Sequence, residues 1–266
     1  MWIDTHCHLD AHEFGAESAQ VAAHAGAQGV AMIVIPAVER ANFPVVAQLA
    51  ASLPNACYAL GIHPIYVPQA SADDLLALRA AVAAAMDDGR FVAIGEIGLD
   101  FFLPMLSEPA MRAKQEHFLR EQLKIARDFD LPVLLHVRRS QDVVLKHARQ
   151  IRPAGGIAHA FNGSFQQAQA YTELGFKLGF GGAMTFTRAL QIRRLASELP
   201  LSAIVLETDA PDMSPSWLHP VRNGPEQLPR IGAVLAQLRG MSVDDAAQAT
   251  TANARAALPR MLLASD

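Results

Sequence analysis

Short apolar runs separated by Ala-rich amphipathic stretches set the rhythm of this chain. The runs are "WIDTH" from Trp2, "GVAMIVIPAV" from Gly29, "CYALGIHP" from Cys57, "FVAIGEIGLD" from Phe91, "LPVLLHVRR" from Leu131, "GGIAHAFNG" from Gly155, "GFKLGFGG" from Gly175 and "SAIVLETDAP" from Ser202. Their length and near-continuous apolar character suit strands buried on both faces. Between them lie helix-forming stretches such as "ADDLLALRAAVAAAMDD", "MRAKQEHFLREQLKIARDF" and "QDVVLKHARQI", and "EQLPRIGAVLAQLRG" and "SVDDAAQATTANARAAL" follow the last run. Strand and helix in alternation imply parallel pairing with crossover helices. Eight such units favour a closed α/β barrel, the (β/α)8 TIM fold, over an open doubly wound sheet. No Gly-rich phosphate loop follows the first run, so the usual mark of a nucleotide-binding sheet is missing.

Length agrees with that architecture: 266 residues fit one barrel of roughly 250 residues. No linker or composition shift divides the chain, and a single domain over residues 1–266 is expected. Hydrophobic residues make up 51% and aromatics only 6%, so the core must be built largely from Ala, Val, Leu and Ile. Charge narrows the partners. With 22 basic against 26 acidic residues, a formal charge of −4 and no Lys/Arg block, a long duplex held by phosphate neutralisation is disfavoured, whereas a partner that presents one end is not. Cys7 and Cys57 form no disulfide framework and fit a reducing compartment. Asp4 and His6 interrupt the segment where a signal peptide needs an apolar run, and no stretch reaches the roughly 18 apolar residues of a membrane span. A cytoplasmic protein with no membrane association and no obligate protein partner is expected.

The unusual polar residues recur at one end of the runs. His6 and His8 end the first, His63 the third, Glu96 lies in the fourth, His136 ends the fifth, His159 lies in the sixth and Asp209 in the eighth. In a parallel barrel these ends share one rim, where active sites are built. Residues at i and i+2 of a strand face the same way, so His6 and His8 can grip one cation while Cys7 points away. Any single histidine at a strand end is more often a hydrogen-bonded core or loop residue than a ligand. Five histidines and two carboxylates at the ends of six runs point jointly to metal.

The motifs "DTHCHLD", "GIHP", "GEIGLD", "LPVLLHVRRS", "AHAFNGS" and "LETDAP" resemble, in order, those of the TatD family of metal-dependent hydrolases, deoxyribonuclease-like members of the amidohydrolase-type barrels. The resemblance extends from Asp4 to about Asn253. It implies that His6 and His8 bind a first divalent metal with Asp209, that Glu96 bridges two metals, that His136 and His159 bind the second, and that His63 sits beside the substrate phosphate. Departures are confined to "AFNGS", where the family often has Thr before the Gly, and to the final Leu of "NARAAL", where it usually has Phe. Two divalent ions can share and activate one hydroxide. The imidazole and carboxylate ligands suit Zn²⁺, Mn²⁺ or Fe²⁺ better than Mg²⁺, which stays among the candidates. None of Lys114, Lys124, Lys146 and Lys177 is placed to supply a carbamylated bridge.

Around this set, Arg138 shares the parity of His136 and is either a bidentate phosphate contact or a surface ion pair, while Arg139 should face away. Asn162 and Ser164 are candidate donors to substrate. Glu207, two before Asp209, is expected to orient a ligand histidine, and Asp209 is a candidate proton acceptor as well as a ligand. Arg222 and Asn223 could close over the substrate or cap the last helices. His12, His24, His117, His147 and His219 are expected to be solvated or capping residues. The first functional expectation is a two-metal phosphodiesterase that trims single-stranded DNA from the 3′ end. The alternatives are a metal-dependent hydrolase of a carboxyl ester or C–N bond, such as an aminoacyl ester deacylase or amidase, and a non-catalytic binding barrel.

Overall fold

The computed structural model of the protein describes residues 1–263; the last three residues of the expected 1–266 span lie outside the described residues. Within them, the eight apolar runs form eight strands: β1 Trp2–Asp4, β2 Val30–Pro36, β3 Ala56–Leu60, β4 Phe91–Asp100, β5 Val133–Arg138, β6 Gly156–Ala158, β7 Phe176–Phe180 and β8 Ile204–Leu206. They lie side by side in sequence order, every neighbouring pair parallel. Beyond the strand ends, β1 and β8 meet: Thr5 N–H donates to Leu206 O (3.1 Å) and Asp209 N–H donates to His6 O (2.8 Å). The result is the expected eight-stranded barrel with helices between its strands.

The helices are α1 Ser18–Ala27, α2 Phe43–Ser52, α3 Ala72–Ala85, α4 Pro104–Ser107, α5 Pro109–Asp128, α6 Gln141–Ile151, α7 Phe165–Glu173, α8 Leu190–Glu198, α9 Leu228–Arg239 and α10 Val243–Ala257. Their starts are written in local chemistry. Ser71 with Asp74, and Ser164 with Gln167, form reciprocal capping boxes on α3 and α7, and the Ser242 hydroxyl accepts from Asp245 N–H at α10. Gly240, at φ +63°, ends α9 in the left-handed conformation that glycine adopts at little cost.

Two apolar layers follow from strand alternation. One set, including Ile33, Ile35, Tyr58, Leu60 and Leu135, packs with the helices; Cys7 belongs to it, on the side away from the rim histidines. The other set takes Ile3, Met32, Val34, Cys57, Ala59, Val92, Leu134, Ile157 and Val205 from seven strands and packs them with Ala254, Ala257, Leu258, Met261 and Leu263 from α10 and beyond. This second set fills the barrel, and the C-terminal segment plugs one end. The opposite end inherits the same register: His136 stands two residues beyond Leu134, His159 two beyond Ile157 and Glu207 two beyond Val205, so inward-facing positions carry these polar groups into the mouth.

One glycine is fixed by close approach of backbone. Gly98 pairs with His136 across β4 and β5, has φ +155°, and a Cβ placed on it would lie 1.9 Å from His136 O. Gly98→Ala is therefore expected to cost on the order of 1 to 3 kcal/mol, read as a lower urea midpoint. A midpoint equal to the parent's would show that β5 yields without strain.

Candidate metal centre

Glu96 is 2% exposed and faces five imidazoles. Its Oε2 lies 3.1 Å from His6 Nε2 and 3.4 Å from His8 Nε2. Its Oε1 lies 2.9 Å from His136 Nδ1, 3.4 Å from His63 Nε2 and 3.6 Å from His159 Nε2. Asp209 Oδ1 completes the first side, 3.9 Å from His6 Nε2 and 3.7 Å from His8 Nε2. Three trios bring their donor atoms within 4.8 Å of one another: His6, His8 and Asp209; His6, Glu96 and His159; His63, Glu96 and His136. All seven residues predicted to gather at the rim do so. His63, expected only beside substrate, also lies in a trio with His136.

Three of these imidazoles are oriented by partners outside the cluster. His159 Nδ1 is 3.2 Å from Glu207 Oε1, within ion-pair distance, and its Nε2 is turned towards Glu96; a carboxylate behind the outer nitrogen is the arrangement that sets the tautomer of a histidine once it ligates metal. His136 Nε2 lies 3.4 Å from Asp100 Oδ2, leaving Nδ1 towards Glu96. His63 differs. Its Nδ1 accepts from Ile65 N–H at 3.1 Å, so a neutral His63 carries its proton on Nε2 and presents a donor to the cleft. The β1–β8 seam is locked beneath the cluster: buried Asp4 accepts from Thr208 N–H (2.9 Å), Thr208 Oγ1 (2.5 Å) and His6 N–H (3.3 Å).

Electrostatics match a cation. Burial opposes ionisation of Glu96, yet His63, His6 and the other imidazoles outweigh it and hold its carboxyl well below the usual carboxylate range. Burial pushes His6 down to about 3 and His63 to about 4, which keeps them neutral. His8 is also buried, but Glu96, Asp209 and Asp10 raise it to about 9; Asp209 and Glu207 likewise raise His159, to about 10. Burial lifts Asp209 to about 6. No lysine or arginine neutralises the carboxylates at the centre of this cluster among the described residues. A set of imidazole nitrogens and carboxylate oxygens that draws positive charge, met without metal by protons on His8 and His159, fits divalent metal in place of those protons.

The cluster opens into a cleft of about 1090 Å³ that also exposes Asp10, Phe102, Arg138, Arg139 and Asn162. Arg138 stacks on Phe102, its Cζ 3.8 Å from the ring centre, with its Nη1 3.8 Å from Asp100 Oδ2. Arg139 is a correction to strand parity. It takes φ +55° where β5 ends, loses the alternation, and stacks on the same ring at 4.6 Å instead of facing away. Ser164 spends its hydroxyl as the α7 cap. Arg222 is tied to Glu13 O and Glu17 Oε2, and buried Asn223 donates to Thr208 O and Asp212 O, so both brace the loop beside Asp209. His147 is buried rather than solvated: its Nε2 meets Glu116 Oε2 at 2.8 Å where α6 packs on α5. Lys177 lies away from the rim, bonded to Ser202 O, and among the described residues no lysine lines the cleft. Asp100 and Asp10 were not anticipated; Asp100, four residues beyond Glu96 in one strand, shares its face by the two-residue period and could have been found.

Residues 3–259 match the family described as TatD related DNase. The chain belongs to the TatD family. This TatD protein is 40% identical over 253 residues to the metal-dependent hydrolase YjjV of Escherichia coli K12, described as uncharacterized, covering 95% of each chain. It is 36% identical over 242 residues to an uncharacterized metal-dependent hydrolase of Haemophilus influenzae, covering 90% of this chain and 92% of that one. The crystal structure of YjjV superposes with a TM-score of 0.91 at 39% identity, over 97% of this chain and 98% of that one. A TatD family hydrolase from Entamoeba histolytica, 18% identical with a TM-score of 0.83 over 97% of each chain, shares the fold. The TatD chain is thus a metal-dependent hydrolase.

If Glu207 fixes the tautomer of His159, Glu207→Ala should weaken retention of divalent metal about 10- to 100-fold while far-UV circular dichroism stays that of the parent. Undiminished metal affinity, measured by competition with a chromogenic chelator, would leave Glu207 a packing residue.

Proposed function

We propose that this TatD protein is a phosphodiesterase that shortens single-stranded nucleic acid, DNA above all, from its 3′ end. In this reading His6, His8, Asp209 and Glu96 would hold one divalent ion, and His136 and His159 with Glu96 would hold a second. Such a pair, when bound, acidifies water and stabilises the entering and leaving oxygens of an in-line displacement.

The observation that carries the reading is the division of Glu96: its two oxygens face different imidazole sets, as a carboxylate shared by two cations requires. The chain's own groups then divide the remaining work. Asp209, at the mouth of the cleft, accepts the proton of the attacking water. His63, with Nδ1 satisfied by Ile65 N–H, offers its Nε2–H to a phosphate oxygen. Arg138 and Arg139, stacked on Phe102, and Asn162 supply further donors to the strand. The family's description as DNase-related supports a phosphodiester substrate. A net charge of −4 supports an end over an internal duplex site, since an end needs few phosphate contacts.

End-labelled single-stranded oligonucleotides beside a closed circular single strand, with Mn²⁺, Zn²⁺ or Mg²⁺ added in turn, test this. The expected result is stepwise loss from the 3′ end, an intact circle, no activity with chelator, and a loss on the order of 10²-fold with His63→Ala. Equally rapid cutting of the circle contradicts the end-directed reading. Failure to cut either under every metal, with turnover of aminoacyl or carboxyl esters, replaces it by the carbonyl-ester alternative.

A further inference from the structure

Beside the main cleft lies a second cavity, of about 740 Å³, formed by the segments that follow β7 and β8. The two cavities are continuous, for Glu13, Ala183, Ile192, Pro211, Asp212 and Met213 line both. Its floor carries the half-buried ring of Phe186. Arg188 Cζ lies 5.5 Å from that ring's centre, and the His219 imidazole meets it edge-on, 5.8 Å between centres at 80°. Arg188 is exposed, and among the described residues its guanidinium meets the ring and no carboxylate. Arg222, on the same wall, is held by Glu13 and Glu17 and is not free in this way. Large apolar side chains stay exposed here too: Met213 at 38% and Val221 at 61%.

We infer that this cavity is a second substrate subsite, which binds a nucleotide unit of a single strand by stacking its base on Phe186 and meeting its phosphate with Arg188. The inference rests on the phosphodiester reading of the metal centre and extends it. A cavity of this size lies within the range of roughly 300 to 1,000 Å³ typical of small-ligand sites, so one nucleotide is accommodated. An aromatic face with an adjacent unpaired cation is the combination that holds single strands without regard to sequence, since every base has a π-face and every unit a phosphate. The same pairing recurs across the main cleft, where Phe102 carries Arg138 and Arg139. Two aromatic and arginine platforms, one on the β4–β5 side and one on the β7–β8 side, therefore line the joined cavities that open from the metal centre. The acidic residues Glu13 and Asp212 at the junction of the cavities disfavour a phosphate at that point and leave the phosphate to Arg188.

Phe186→Trp places a reporter on the platform. Phosphorothioate-linked oligothymidylates of one to six units, which resist cleavage, are titrated into the purified metal-containing variant and into the parent, whose own tryptophans give the background. Quenching that is specific to the variant, saturable, and tighter by on the order of tenfold once the strand has at least two units is the expected result. An abasic chain of equal charge should quench weakly. Equal quenching by the abasic chain, or none by any strand, overturns the subsite. Because binding is read without turnover, the two readings separate: cleavage without quenching removes the subsite alone, and quenching without cleavage removes the phosphodiesterase reading alone.

Discussion

A single carboxylate buried among five imidazoles is the constraint on which the rest of this molecule turns. An ionised side chain out of water is costly unless it is paired, and Glu96 is kept ionised by the histidines that ring it. Those histidines come from β1, β3, β5 and β6 or the residues just beyond them, so the barrel has to bring the ends of separate strands to within about a hydrogen-bond length of one group. Few folds do this as simply as a parallel barrel, in which every strand ends on the same rim.

The devices that hold the rim follow from that demand. Asp4 binds Thr208 across the β1–β8 seam and so fixes His6, from whose N–H it accepts, and Asp209, which follows Thr208 in sequence. Gly98 lets β5 approach β4 at His136, and Gly179 leaves the space that the Glu207 carboxylate occupies beneath His159, where a Cβ would lie 2.1 Å from its Oε2. Pocket and metal centre are thus one construction. The inward register that packs Leu134, Ile157 and Val205 inside the barrel places His136 and His159 at its mouth, with Glu207 buried beneath His159.

Much of this was legible in the sequence because two periodicities carry it. Eight apolar runs buried on both faces became eight strands, and the histidines and carboxylates on six of them identified the rim. What alternation could not foresee lies where alternation stops. Arg139 turns into the cleft because its backbone is left-handed beyond β5. Phe102, Phe186 and Arg188 sit on loops, whose paths no repeat dictates, so the aromatic platforms were invisible until the loops were placed. His147 looked like a surface residue because the contact between α5 and α6 that buries it joins positions 31 residues apart. Asp100 was a different omission, since its parity with Glu96 was present in β4.

Sharing of Glu96 between two ions is the claim on which the proposed chemistry stands, and metal stoichiometry measures it most directly. Elemental analysis of purified Glu96→Ala, His136→Ala and parent proteins at equal concentration is predicted to give loss at both sites for the first, chiefly one ion lost for the second, and two ions per chain for the parent. Two metals retained by Glu96→Ala would contradict the shared carboxylate.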